Sequence, residues 1–147
     1  MDIRQGYYGF LNVDDIMARF GTRSKKNLAT CDERIQKVLN EVIKHVDCSV
    51  IEGHRSGERQ NKLYEEGKTK VKYPYGRHNS NPSRAVDVVP YPIDWDDRER
   101  FHLFAGFVIG IAKSMEINLR WGGDWDQDWY VHDNRFDDFP HFEIKEK

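Results

Sequence analysis

Ala85-Val86-Asp87-Val88-Val89-Pro90 reads as a short strand with one residue out of keeping. The β-branched run, closed by Pro90 and Pro92, predicts extended backbone. Asp87 sits in the middle of it. A carboxylate among valines is costly unless it is paired or meets a cation. Working upstream, residues 68–84 form a long polar connection containing Pro74 and Pro82. A loop of that length in a compact domain usually carries function or is disordered.

Further upstream, Ser56 can cap a helix running to Glu66, with Gly67 suited to its end. Ser49-Val50-Ile51-Glu52 reads as a strand. Ile35, Val38, Leu39, Val42, Ile43 and Val46 recur at spacings of three and four, which predicts a helix over 31–46. Thr30 with Glu33 fits a capping box at its start. Residues 1–28 mix rings with glycines and read as a packed N-terminal arm of uncertain role. The remainder, 29–147, reads as one domain.

Downstream, Asp96 or Asp97 can start a third helix, with a stripe of Phe101, Phe104, Phe107, Val108, Ile111 and Met115. Leu119-Arg120-Trp121 predicts a strand and Gly122-Gly123-Asp124 a turn. His141-Phe142-Glu143-Ile144 predicts a final strand with alternating character. The class is α+β, a small sheet backed by helices.

The chain has 147 residues, the size of a single domain. Aromatics are 13% of it, enough large rings to build a core although only 38% is hydrophobic. Lys+Arg 23 nearly balances Asp+Glu 25, and a net charge of −2 removes the electrostatic case for nucleic-acid binding. Many rings and little net charge also argue against disorder. The apolar stretch over residues 107–112 is too short to cross a bilayer, so no membrane insertion is expected. The first residues lack the layout of a secretory signal. The expected location is therefore the cytoplasm, until something releases the protein. Cys31 and Cys48 fall near opposite ends of the first predicted helix, roughly 25 Å apart at ~1.5 Å per residue, and read as reduced thiols.

Among six histidines, His45 and His102 are explained by their helices. His78, in the Pro-flanked loop, and His141, opening the last strand, could join Asp87 as a three-ligand metal set that leaves a position for water. Asp138, three residues before His141, would then be placed as a general base. Read from spacing alone, structural histidines and a surface carboxylate explain the same residues. Neither a His-Glu-x-x-His helix nor Cys-x-x-Cys knuckles are present. A Gly-x-Ser-x-Gly elbow and a Gly-rich phosphate loop are missing too.

The stretch from His78-Asn79-Ser80 to Asp87-Val88-Val89-Pro90 resembles the first metal motif of the VanY-type zinc peptidases. That family includes D-alanyl-D-alanine carboxypeptidases and phage L-alanyl-D-glutamate endopeptidases. Asp138-Phe139-Pro140-His141 is similar to its second motif, Asp/Glu-x-x-His. Glu52-Gly53-His54-Arg55 with Gln60 resembles the segment carrying a substrate-side arginine. Leu119-Arg120-Trp121-Gly122-Gly123-Asp124-Trp125 is similar to a stretch of the phage endolysin branch.

The resemblance implies a Hedgehog/DD-peptidase-like fold with a mainly antiparallel sheet. It implies Zn2+ on His78, Asp87 and His141, with Asp138 as general base and Arg55 steadying the substrate carbonyl. The implied activity is cleavage of the L-Ala–D-Glu bond in the stem peptide of bacterial peptidoglycan, by a monomer. A D-Ala–D-Ala carboxypeptidase, a wall-binding module without chemistry and a carboxylate-pair muramidase are the alternatives. Two features depart from the family pattern: eight residues separate His78 from Asp87, and Gly76 stands where Ser is usual. The rivals within the chain are His132 as ligand and Asp137 as base, while His54 is expected to face away from Arg55.

Overall fold

The computed structural model describes residues 18–146. Four antiparallel strands make one sheet: β1 (Cys48–Glu52), β2 (Ala85–Pro90), β3 (Leu119–Gly122) and β4 (Asp138–Ile144), in the order β1-β2-β4-β3. The helices are α1 (Thr22–Ala29), α2 (Glu33–Val42), α3 (Gly57–Glu65) and α4 (Arg98–Ser114). A 3-10 turn over Arg77–Asn79 sits in the long connection before β2.

Alternation along the strands divides the sheet into two chemically distinct faces. Val50, Val86, Val88, Leu119, Trp121, Phe142 and Ile144 belong to the buried core. They share it with Ile35, Val38, Leu39 and Val42 of α2 and with Phe104, Ala105, Val108 and Ala112 of α4. The opposite face carries Asp87, His141, Glu143 and Arg120. Glu52 pairs with Asp87, and Asp87 with His141, so three polar residues form one row across β1, β2 and β4. A register irregularity between Val50 and Glu52 brings Glu52 into that row.

The α+β expectation and the central strands agree with this architecture. Other local expectations need correction. Helix α2 spans Glu33–Val42 rather than 31–46, because its N-cap is Asp32, whose carboxylate accepts from Arg34 N at 2.9 Å. Thr30 instead closes α1, donating to Asn27 O at 2.6 Å and accepting from His54 N at 2.8 Å. The arm reading of 1–28 lies outside the described residues up to position 17. From Ala18 the chain is packed, and Phe20 and Leu28 are buried in the common core. Helix α1 covers the outer edge of β1: Ser24 Oγ accepts from Val50 N at 3.0 Å, and Asn27 Nδ2 donates to Val50 O at 2.9 Å. An edge strand is thereby relieved of unpaired backbone groups.

The remaining caps match their sequence signals. Ser56 accepts from Arg59 N and Asp97 from Arg100 N, each at 3.1 Å. Gly67, just past α3, has φ of +73°, a conformation that favours glycine. Cys31 and Cys48 are buried free thiols. Burial pushes both up to about 12. Among the described residues no helix is long and apolar enough to cross a membrane.

Candidate metal centre and cleft

The polar face of the sheet floors a cleft of about 800 Å³. Its walls come from α3, the 67–78 connection and the segment around Trp125 and Phe136–Asp138. His78 enters from the 3-10 turn, Asp87 from β2 and His141 from β4. One ligand-type atom from each lies within 4.8 Å of the others. His78 Nε2 is 3.3 Å from His141 Nδ1 and 3.3 Å from Asp87 Oδ1, while His141 Nδ1 is 3.5 Å from that oxygen.

The far side of each ring decides what faces the centre. His78 Nδ1 bonds to Gly53 O at 2.8 Å, and His141 Nε2 to Glu143 Oε1 at 2.9 Å. Both acceptors require an N–H on the outer nitrogen. A neutral imidazole then presents a lone pair inward. Two inward lone pairs 3.3 Å apart, beside a carboxylate, form an assembly of acceptors suited to a cation. Asp87 Oδ1 is buried without a hydrogen-bond partner. These donors fit a divalent metal: nitrogen and oxygen ligands, with outer bonds that fix the ring orientation. The same demand for positive charge acts on His141. Burial opposes its protonation, yet Asp87 and Glu143 raise it to about 9.

Asp138 opens β4 with its carboxylate 4.0 Å from His141 Nδ1. The surrounding protein desolvates it and pushes its carboxyl above the usual range; His141 opposes this and Asp87 adds to it. Asp137, the rival base, is engaged elsewhere. It accepts from Arg98 at 3.3 Å and from Asn134 Nδ2 at 3.1 Å. His132 is exposed and does not line the cleft. His54 turns to Ser80 O, 2.9 Å from Nδ1, as its position beside Arg55 predicts.

Arg55 lies beside the centre, with Nη2 3.8 Å from Asp87 Oδ2. Its guanidinium also grips Glu52 through two bonds of 3.0 and 2.8 Å and donates to Gln60 Oε1 at 3.1 Å. Against the effect of burial, Arg55 and Arg59 hold Glu52 below its usual range. Gln60 is fully buried with both ends of its amide engaged: Oε1 also accepts from Asn79 Nδ2 at 3.2 Å, and Nε2 donates to Val71 O. The backbone is strapped as well, with Arg55 N donating to His78 O at 2.8 Å. Gly76 belongs to this packing. A Cβ there would stand 2.5 Å from Asn79 Oδ1 and 2.8 Å from Gln60 Oε1, so serine would require both of these hydrogen-bonded side chains to shift.

Sequence reasoning passed over Glu143, Arg120 and Gly53. Glu143 is buried at 3% exposure and held down to about 2 by His141 and Arg120, although burial pushes it the other way. The signal available was its position, two residues beyond His141 on the same face of a strand.

A family model described as phage L-alanyl-D-glutamate peptidase matches residues 16–145. The chain is 29% identical over 120 residues to the L-alanyl-D-glutamate peptidase of Escherichia phage T5, covering 78% of this chain and 87% of that protein. It is 30% identical over 114 residues to the peptidoglycan L-alanyl-D-glutamate endopeptidase CwlK of Bacillus subtilis, covering 69% of this chain and 62% of the relative. The crystal structure of the L-Ala D-Glu endopeptidase ChiX of Serratia marcescens superposes with a TM-score of 0.70 at 27% identity, over 91% of this chain and 96% of that one.

Proposed function

Since the chain belongs to the phage L-alanyl-D-glutamate peptidase family, we propose that it is a zinc-dependent peptidoglycan hydrolase cutting the L-Ala–D-Glu bond of the stem peptide. The observation that carries this reading is the convergence of His78 Nε2, His141 Nδ1 and Asp87 Oδ1, with both outer ring nitrogens tied to acceptors. His78, Asp87 and His141 would hold the ion. Bound there, Zn2+ supplies Lewis acidity, which lowers the pKa of a water and polarises a carbonyl.

The chain's own groups do the rest. Asp138 is on the cleft rim within reach of the same centre, and its raised affinity for a proton suits a group that takes one from water. It returns that proton to the leaving amine of D-Glu. Arg55 lines the same cleft and offers positive charge to the carbonyl oxygen as negative charge develops there. Its bonds to Glu52 and Gln60 keep the guanidinium from swinging away, so little reorganisation is needed in the reaction. The half-buried Trp125 and the exposed Phe136 and Tyr75 give the cleft apolar surface for the peptide.

The test is metal content and turnover of purified muropeptides before and after chelation, with zinc returned, and products identified by mass. Loss and recovery of cleavage between L-Ala and D-Glu is expected. Release of terminal D-Ala would favour a carboxypeptidase, and indifference to the chelator would overturn the metal reading.

A further inference from the structure

We propose that Glu143 is a positioning residue for His141, and that Arg120, itself fastened to the loop after β3, fixes Glu143. The inference rests on the metal reading of His78, Asp87 and His141. Glu143 and His141 project from the same face of β4, as their spacing of two requires. The two oxygens of Glu143 are divided between tasks. Oε1 accepts from His141 Nε2 at 2.9 Å, while Oε2 accepts from Arg120 Nη2 at 3.0 Å and lies 3.4 Å from Arg77 Nε.

Arg120 is the direct cross-strand partner of Glu143 in the β3–β4 ladder. Its Nη1 donates to Trp125 O at 3.2 Å, and its guanidinium lies over the Trp125 ring at 5.5 Å. The Trp125 ring in turn packs on the His141 ring, 5.6 Å between centroids. The contacts therefore close a circuit: His141 to Glu143, to Arg120, to Trp125, and back to His141.

A circuit of this kind leaves His141 one orientation and one tautomer. The other tautomer would turn an N–H toward Asp87 and His78 and leave Nε2 facing Glu143 without a proton. The partner ring is treated differently, since His78 Nδ1 meets only a backbone carbonyl. His141 is thus the ligand with a charged acceptor behind it, an arrangement that raises ligand basicity. A carboxylate with 4% of its side chain exposed is expensive to bury, and the two arginines offset that cost.

The test uses the full chain, with Zn2+ affinity from competition with a chromophoric chelator and the visible absorption of the Co2+-loaded protein. Glu143→Gln should weaken zinc binding about 10–100-fold and shift the cobalt bands, with the far-ultraviolet spectrum of a folded protein. Arg120→Lys keeps the charge but loses the paired bonds. It should give a smaller loss in the same direction, and it carries the test if Glu143→Gln does not fold. Parental affinity and unshifted bands in a folded variant would overturn the inference while leaving the metal site intact. A parent chain that takes up no zinc would overturn both.

Discussion

Asp87 and His141 sit directly opposite one another in the β2–β4 ladder. Two of the three metal-ligand candidates are therefore set by strand register, and only His78 depends on a loop. A slip of one residue between β2 and β4 would send Asp87 into the core and Val86 into the cleft. Register is protected on the other face, where Val86 pairs with Phe142 and both are fully buried.

Replacing His78 with Ala should abolish stoichiometric zinc uptake and muropeptide cleavage, while the sheet stays folded because the ligand comes from the loop. Metal analysis and far-ultraviolet circular dichroism check it. Full zinc retention with activity would show that His78 is not a ligand.

Asp138→Asn should lose about 10²–10⁴ in turnover and keep its zinc, as expected for loss of general base catalysis. Asp137→Asn should stay near parental turnover, since its carboxylate is occupied by Arg98 and Asn134. Steady-state rates on purified muropeptides separate the pair, and the reverse ranking would exchange the two roles.

Gly53→Ala should destabilise the fold by about 1–3 kcal/mol through overpacking. A Cβ there would collide with Asn27 O and Thr30 Oγ1 and stand 3.0 Å from Cys31 Sγ. Urea denaturation checks it, and a change within about 0.5 kcal/mol would mean that the segment gives way easily.

Cys31 and Cys48 should resist iodoacetamide in the native protein at pH 8 and react once it is unfolded, because burial pushes both thiols up to about 12. The neutral thiol is the form that folding favours. Its contribution to stability is complete below the ordinary thiol pKa of about 8.5 and is lost as pH rises from there toward 12. Mass spectrometry of labelled protein decides the point, with rapid native labelling as the contrary result.

Part of the metal cluster drew notice in the sequence because its residues break local rules, although only the family resemblance gave them roles. Asp87 interrupts a valine run, and Asp138 and His141 flank a proline in a strand approach. Strands β2 and β4 were legible from the same stretches. Helix α1 was not: Thr22–Ala29 is nearly all polar, with Ser24 and Leu28 its buried residues. Its hold on the sheet comes from Ser24 and Asn27 bonding to the edge of β1, a tertiary arrangement without apolar periodicity. Thr30 and Asp32 both look like caps, and only the end of α1 assigns each to its helix. Glu143 was passed over because an acid alternating with Phe142 and Ile144 reads as solvent-facing. It is buried because Arg120, Arg77 and the Trp125 segment roof that side of the sheet.

The carbonyl that orients His78 belongs to Gly53, and the space beside Gly53 is filled by Asn27 and Thr30. Inactivating changes collected by random mutagenesis should therefore include the end of α1, among residues that never meet the peptide. Such alleles would look like remote defects on a sequence map. They would lie one residue removed from the chemistry.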